Sequence, residues 1–254
     1  MKYLLIPILI FSSLGFASCS VDLNSKSSSL GSSYLDRVTA SNNVITQNRK
    51  ISSFEGIDIS NAINVTITDG NYNGEISVEA PDNIMDRIIT EVSGGVLHVK
   101  IKGSVNLKNS SIKVKFPHKK LRSYSISGAS NVNVIPTQKV EKIAIDLSGA
   151  SNLKLDVISN SIAVDNSGAS SMKISGNVQD LAVSVSGASS LIAKDLKAAT
   201  ATIDCSGASS ITVWAVNKLI ADSSGASSIK YIDEEGLQTK VDVSGMSSIK
   251  KISK

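Results

Sequence analysis

Ile145-Asp146-Leu147-Ser148-Gly149-Ala150-Ser151-Asn152-Leu153-Lys154-Leu155 is the stretch that decides the fold. Taken every second residue, Ile145, Leu147, Gly149, Ser151, Leu153 and Leu155 form one set, apolar except at its centre. The interleaved set is Asp146, Ser148, Ala150, Asn152 and Lys154. Successive side chains of a strand point to opposite sides, so period-two alternation means strands with one buried face. The sequence around residue 245 behaves alike. Val241, Val243, Gly245, Ser247 and Ile249 face one way; Asp242, Ser244, Met246, Ser248 and Lys250 face the other.

The triplet at the centre recurs. Ser-Gly-Ala begins at Ser127, Ser148, Ser167, Ser186, Ser206 and Ser224, and Ser244-Gly245-Met246 is a seventh copy, with steps of 21, 19, 19, 20, 18 and 20 residues. Such a repeat is too short for a strand, a crossover helix and a second strand. Stacking one repeat on the next buries each apolar face, with a rise of about 4.8 Å per coil. The predicted fold is all-β: a right-handed parallel β-helix of about 20 residues per coil, the hand following from the general crossover preference. Read straight through the triplet, the alternation places Gly128, Gly149, Gly168, Gly187, Gly207, Gly225 and Gly245 inward, where Gly lets backbones bend or approach closely. The next inward residues are Ser130, Ser151, Ser170, Ser189, Ser209, Ser227 and Ser247. A buried hydroxyl without a partner costs about 1–3 kcal/mol, so these serines are expected to form a hydrogen-bonded ladder at the corner. A row of nucleophiles is the rival reading, but no His accompanies them.

With these residues in hand, the sequence resembles the auto-transporter adhesin family named for its head GIN domain. The Ser-Gly-Ala-Ser copies carry the resemblance together with Phe54-Glu55-Gly56-Ile57-Asp58-Ile59-Ser60-Asn61-Ala62-Ile63-Asn64-Val65, over about residues 50–254. It implies an exported β-helical protein, often a lipoprotein of Bacteroidota-like bacteria, with no established activity. Asn61 stands where the repeats have Gly. Asn tolerates left-handed backbone next best, so residues 57–67 read as a divergent first rung. Residues 68–125 depart from the repeat. Glu75 to Glu79 reads as a strand, Pro81 to Ile88 as a turn with one or two helical turns, Thr90 to Ile101 as a hairpin around Ser93-Gly94-Gly95, and Ile112 to Phe116 as a strand. This segment is expected to form an irregular N-terminal cap. Lys250, Lys251 and Lys254 at the other end would discourage end-to-end stacking.

Residues 1–19, MKYLLIPILIFSSLGFASC, have a positive start at Lys2 and an apolar run from Leu4 to Phe16 that is too short to span a bilayer. They resemble a bacterial lipoprotein signal over residues 1–18, with Cys19 as the lipid-bearing first residue after cleavage; Phe16 stands where an aliphatic residue is usual. An ordinary secretory signal with an incidental Cys is the other reading. Residues 19–49 are rich in Ser and Asn and read as a flexible tether, unless part of them, Val38 to Ile45, docks on the domain. The β-helix domain is expected over 50–254, with its Ser-Gly-Ala-Ser repeats in 127–254. The location implied is the bacterial cell envelope, through a lipid anchor in the outer membrane.

Composition bounds the chemistry. Aromatics are 4% of 254 residues, which argues for a thin core of Val, Ile, Leu and small side chains. The net charge of +4 is spread along the chain and gives little support to a nucleic-acid surface. Two His and two Cys exclude a cysteine-rich scaffold and leave little for a zinc site. His98 and His118 read as ordinary surface residues, and Cys205 as a buried apolar thiol. No phosphate loop, metal-ligand spacing or nucleophile elbow is present.

Two outward columns remain. Two residues before each Ser-Gly lie Ser125, Asp146, Asp165, Ser184, Asp204, Asp222 and Asp242. On adjacent coils Asp204, Asp222 and Asp242 would repel, be screened by Lys, or attract a weakly held cation such as calcium; carboxylates about 5 Å apart would also suit a retaining glycosidase. Six residues after the motif Ser lie Asn133, Lys154, Lys173, Ile192, Thr212, Lys230 and Lys250, a row that could meet anionic glycans or keep the sheet soluble. Between them runs a strip of Ala150, Ala169, Ala188, Ala208 and Ala226, either local packing or a contact surface for protein or carbohydrate. The function these observations favour is a non-enzymatic envelope protein with a binding, adhesive or structural role, its glycan or protein ligand unknown. The rival, a polysaccharide-acting lyase or hydrolase, rests on fold analogy alone.

Overall fold

A computed structural model describes residues 38–107, 110–118, 120–232 and 234–253. The expected signal over 1–18, Cys19 and the tether up to residue 37 lie outside the described residues. The rest is a β-solenoid of about six turns, repeating roughly every 20 residues. On the face that precedes the triplet, Gly56–Ile59, Ser123–Ile126 and Lys142–Leu147 run parallel in sequence. They are followed by the second halves of Asn152–Asn166, Ser171–Val185, Ser190–Cys205 and Ser210–Ser223, and then by Gln238–Val243. On the face that follows the triplet, Ile63–Thr68, Asn131–Val134, the first halves of the same long strands, Ser228–Ile232 and Ser248–Ile252 stack in the same way.

The alternation explains the core. Leu153, Leu155, Met172, Ile174, Leu191, Ala193, Ile211 and Val213 are buried after the triplet, and Ile145, Leu147, Val164, Val183, Ile203 and Ala221 before it. The unequal repeat lengths are absorbed away from the triplet. Register shifts lie between Lys173 and Ser175, between Ala193 and Lys197 and between Ala198 and Thr200, while the residues flanking each triplet stay in step.

The triplet itself corrects the straight alternation. Leu147 and Ser151 are buried, but Gly149 and Ala150 between them are exposed and form a tight turn. The same holds at the other copies: the glycines point out of the core. Gly is required for two other reasons. At Gly187 φ is +73°, in the left-handed region, and a Cβ there would sit 2.5 Å from the Gly168 carbonyl oxygen of the coil before. That close approach comes from a backbone ladder along the turns: Ala188 N–H donates to Gly168 O at 2.7 Å, and Ala208 N–H donates to Gly187 O at 2.8 Å. The divergent rung keeps the geometry, with Asn61 at φ +68° in the Gly position and Ala62 at φ +62°.

The N-terminal end is built differently. Glu75–Pro81 runs antiparallel to both Val44–Lys50 and Ile112–Pro117. A 3-10 helix over Asp82–Arg87 buries Ile84 and Met85. Ile88–Ser93 and Val96–Ile101 form the hairpin, and the latter strand joins the parallel face beside Gly56–Ile59. Val38–Thr39 pairs with Val105–Asn106. The part of the expected tether from 38 to 49 therefore belongs to the folded unit, with Val44–Lys50 pairing along its length with Glu75–Pro81. Arg49 ties it down, its guanidinium donating to Ile88 O at 2.5 Å and Met85 O at 3.0 Å.

At the opposite end the last coil is open. Gln238–Val243 pairs only with Ser210–Ser223, and Ser248–Ile252 only with Ser228–Ile232, among the described residues. Val241 and Val243, which continue the inward stack of Ala221 and Ser223, are 47% and 46% exposed.

Candidate functional site

The corner behind each turn is a chain of hydroxyls. Ser151 Oγ donates to Ser148 O at 2.7 Å, Ser170 to Ser167 O at 2.7 Å, Ser209 to Ser206 O at 2.5 Å, Ser227 to Ser224 O at 2.7 Å and Ser247 to Ser244 O at 2.6 Å. Each of these five serines thus closes its own turn by bonding three residues back. Rungs are also linked: Ser227 Oγ reaches Cys205 O at 3.0 Å, Ser247 Oγ reaches Ser223 O at 2.7 Å, Ser170 bonds Asn166, and Ser170 and Ser189 lie 3.4 Å apart. Ser130 accepts from Ile63 N–H at 3.3 Å. Their bonding to the turn carbonyls and their burial make this corner a structural device.

The acidic column is in register on one outer face, and it is longer than the repeat suggests. Asp58 lies beside Ser125 and His98 lies beside Asp58, so the row runs His98, Asp58, Ser125, Asp146, Asp165, Ser184, Asp204, Asp222, Asp242. His98 Nδ1 is 2.9 Å from Asp58 Oδ2. Asp58 carries the same signal as the others, two residues before Ser60-Asn61. His98 carries none, because its strand lies outside the repeat. Side chains on one sheet face project side by side at the coil spacing of about 4.8 Å. Asp204, Asp222 and Asp242 lie in register on adjacent coils, and among the described residues no group of three or more His, Cys, Asp or Glu is gathered so as to hold a metal ion.

Beside that column, small side chains make a groove. Ser123, Ala144, Ala163, Ala182 and Thr202 form one register row two residues before the acidic one. Together with Ser125, Asp146, Asp165, Ser184, Asp204 and Asp222 they line an open trough of about 630 Å³. Sequence reasoning missed this row, having looked for small residues at the turn tips. The second column is also in register: Asn133, Lys154, Lys173, Ile192, Thr212, Lys230, Lys250. Next to it Asn152 Nδ2 donates to Asn131 Oδ1 at 2.6 Å and Asn131 Nδ2 to Asn64 Oδ1 at 2.9 Å, an amide ladder over three coils. Trp214 Nε1 donates to Glu234 Oε1 at 2.5 Å, and Lys197 Nζ lies 5.5 Å from the Trp214 ring centre.

One of the two histidines expected at the surface is buried. His118 is 7% exposed and packs against Phe54 and Tyr72. Its Nε2 is 2.9 Å from Phe54 O and its Nδ1 accepts from Lys120 N–H at 3.1 Å. That pair of partners fits the neutral ring, and burial holds its pKa below the ordinary value. Cys205 is fully buried, with Sγ 3.1 Å from Ser209 Oγ.

Comparison with known proteins agrees with this architecture. Residues 53–234 match the family described as "Putative auto-transporter adhesin, head GIN domain". A crystal structure of a putative adhesin from Bacteroides fragilis NCTC 9343 superposes with a TM-score of 0.72 at 23% identity, covering 85% of this chain and 100% of that one. A putative lipid binding protein from Parabacteroides distasonis ATCC 8503 gives 0.64 at 24% identity, over 85% of this chain and 99% of that one. A putative adhesin from Parabacteroides merdae ATCC 43184 gives 0.59 at 18% identity, with 85% and 99% covered. No curated protein matches the chain. At these identities the solved structures speak to the fold.

Proposed function

The chain belongs to the family described as "Putative auto-transporter adhesin, head GIN domain", and we propose that it is a non-enzymatic binding module carried at the bacterial cell envelope. The observation that carries this reading is the trough of about 630 Å³ along the acidic column. Its lining repeats from coil to coil, so an extended ligand would meet equivalent groups at intervals of about 4.8 Å. The small floor of Ala144, Ala163 and Ala182 admits close approach, and Asp146, Asp165, Asp204 and Asp222 offer acceptors for hydroxyl or amine donors along one side. A glycan or an extended peptide has that shape. Cys19 as a lipid-bearing residue would hold the domain at the membrane, with 20–37 as the spacer.

The test joins a glycan array to a depolymerisation assay. Binding of a glycan that is lost in Ala163→Arg, with no turnover, supports the reading. Turnover that disappears in Asp204→Asn would favour the polysaccharide-acting enzyme instead. Incorporation of labelled palmitate, abolished by Cys19→Ser, tests the anchor separately.

A further inference from the structure

A second groove, of about 320 Å³, lies where the coils differ in length, and it shares no lining residue with the trough. Two register rows line it. Ile158, Asn177 and Lys197 stand side by side on successive coils. Two residues on, past the buried Ser159, Val178 and Ala198, the pairs on either side set Asn160, Gln179 and Ala199 in a second row. The rows are about 6.6 Å apart along the strands, and the coils about 4.8 Å apart across them. The next coil is irregular here. Ala198 pairs with Ala215 and Thr200 with Lys218, so Val216 and Asn217 both stand opposite Ala199. Such a bulge re-aims side chains and is common beside functional sites. Three extra residues, Lys194 to Leu196, lie between the pairs Ala193–Val213 and Lys197–Trp214 and bring Trp214 beside Lys197.

Asn160, Asn177, Gln179 and Asn217 thus bring four carboxamides to one groove. Elsewhere the solenoid uses its amides internally: Asn152 bonds Asn131, Asn131 bonds Asn64, and Gln138 accepts from Leu121 N–H and donates to His118 O. Among the described residues the four in the groove make no side-chain hydrogen bond, although Asn160 and Gln179 are neighbours. We propose that this groove binds a short neutral oligosaccharide. A carboxamide both donates and accepts, as a sugar hydroxyl does. An extended peptide offers its polar groups along one line, whereas these amides are spread in two directions over several coils, as hydroxyls are spread around a sugar ring. Lys197 is the one charged side chain among the lining residues described, and no carboxylate lines the groove, so nothing there selects a strongly charged polymer. Ile158, 44% exposed, gives the C–H face of a sugar an apolar contact. The volume lies at the small end of ligand sites. Trp214 closes one end, its ring held by Glu234 and lying under the Lys197 ammonium.

Trp214 is the only Trp in the chain, so its fluorescence reports on this groove. The test titrates the full chain, in a detergent without a sugar headgroup, with cellotetraose, chitotetraose, mannotetraose and xylotetraose. At least one of them should shift the Trp214 emission saturably. Asn177→Ala combined with Gln179→Ala should weaken that binding by about tenfold or more. The circular dichroism spectrum and urea midpoint should not change, since neither side chain is bonded within the fold. Ala199→Arg, which fills the groove from the neighbouring coil, should abolish the shift. No saturable shift with any of the four sugars overturns the inference, as does a shift indifferent to both variants. A shift lost in Ala163→Arg but kept in the groove variants assigns the sugar to the trough and overturns it too.

Discussion

Gly187 is where a single added carbon tests the whole account of the turns. In Gly187→Ala the new Cβ would fall 2.5 Å from Gly168 O, 3.1 Å from Gly168 N and 3.3 Å from Gly168 C. All three are backbone atoms, so no side chain can swing away. The coils must part locally, which stretches the Ala188 N–H to Gly168 O bond of 2.7 Å and the Ala208 N–H to Gly187 O bond of 2.8 Å. Left-handed backbone costs a residue with a Cβ about 1–2 kcal/mol. Two weakened backbone bonds at about 1 kcal/mol net each add a similar amount. The expected loss is therefore about 3–4 kcal/mol, and more for Gly187→Val, whose branch is stiffer. Gly236 separates the two contributions: its φ is +81° but nothing lies within 4 Å of its Cβ position, so Gly236→Ala should cost only the conformational part, about 1–2 kcal/mol. Urea unfolding followed by circular dichroism measures both. Equal losses at Gly187 and Gly236 would refute the claim that the turn glycines serve close packing between coils.

Three further outcomes are expected. Tyr124 is 1% exposed and its hydroxyl has no hydrogen-bond partner among the described residues; burial alone drives its pKa upward, and Tyr124→Phe should leave stability unchanged or raise it by up to about 1–2 kcal/mol, whereas a loss above that size would reveal a partner. His118 has a folded pKa below the unfolded value near 6.5. The unfolded chain therefore takes up the proton first, so stability is full above that value and falls as pH drops through the window below it; the urea midpoint of His118→Gln should be flatter from pH 7 to 5.5, and parallel profiles would exclude the assignment. Asp222, between Asp204 and Asp242, is repelled by about 0.8 kcal/mol per neighbour at about 5 Å in water before screening. Asp222→Asn should thus stabilise the fold by up to about 1 kcal/mol at low salt and less at high salt; millimolar calcium should raise the melting temperature no more than sodium chloride of equal ionic strength, and a larger rise abolished by Asp222→Asn would restore the cation site.

The repeat and its parity were enough to identify a β-solenoid, its core positions and its two outward columns, because burial of one face is written locally at every second residue. Asp58 was legible by the same offset, and Asn61 by its tolerance of left-handed backbone. The sequence did not show which way the triplet glycines face. Gly149 and Ser151 share one parity, and only the turn between Leu147 and Ser151 puts Gly149 outside and Ser151 inside. That turn is held by bonds between coils about 20 residues apart, which no local pattern records. The same reason hid His118, whose burial depends on Phe54 and Tyr72 arriving from elsewhere in the chain. It also hid the strand at 44–50, which needs Glu75–Pro81 as its neighbour. The trough is a tertiary fact too: Ala144, Ala163 and Ala182 are ordinary small residues until the register of successive coils sets them in one row beside the aspartates.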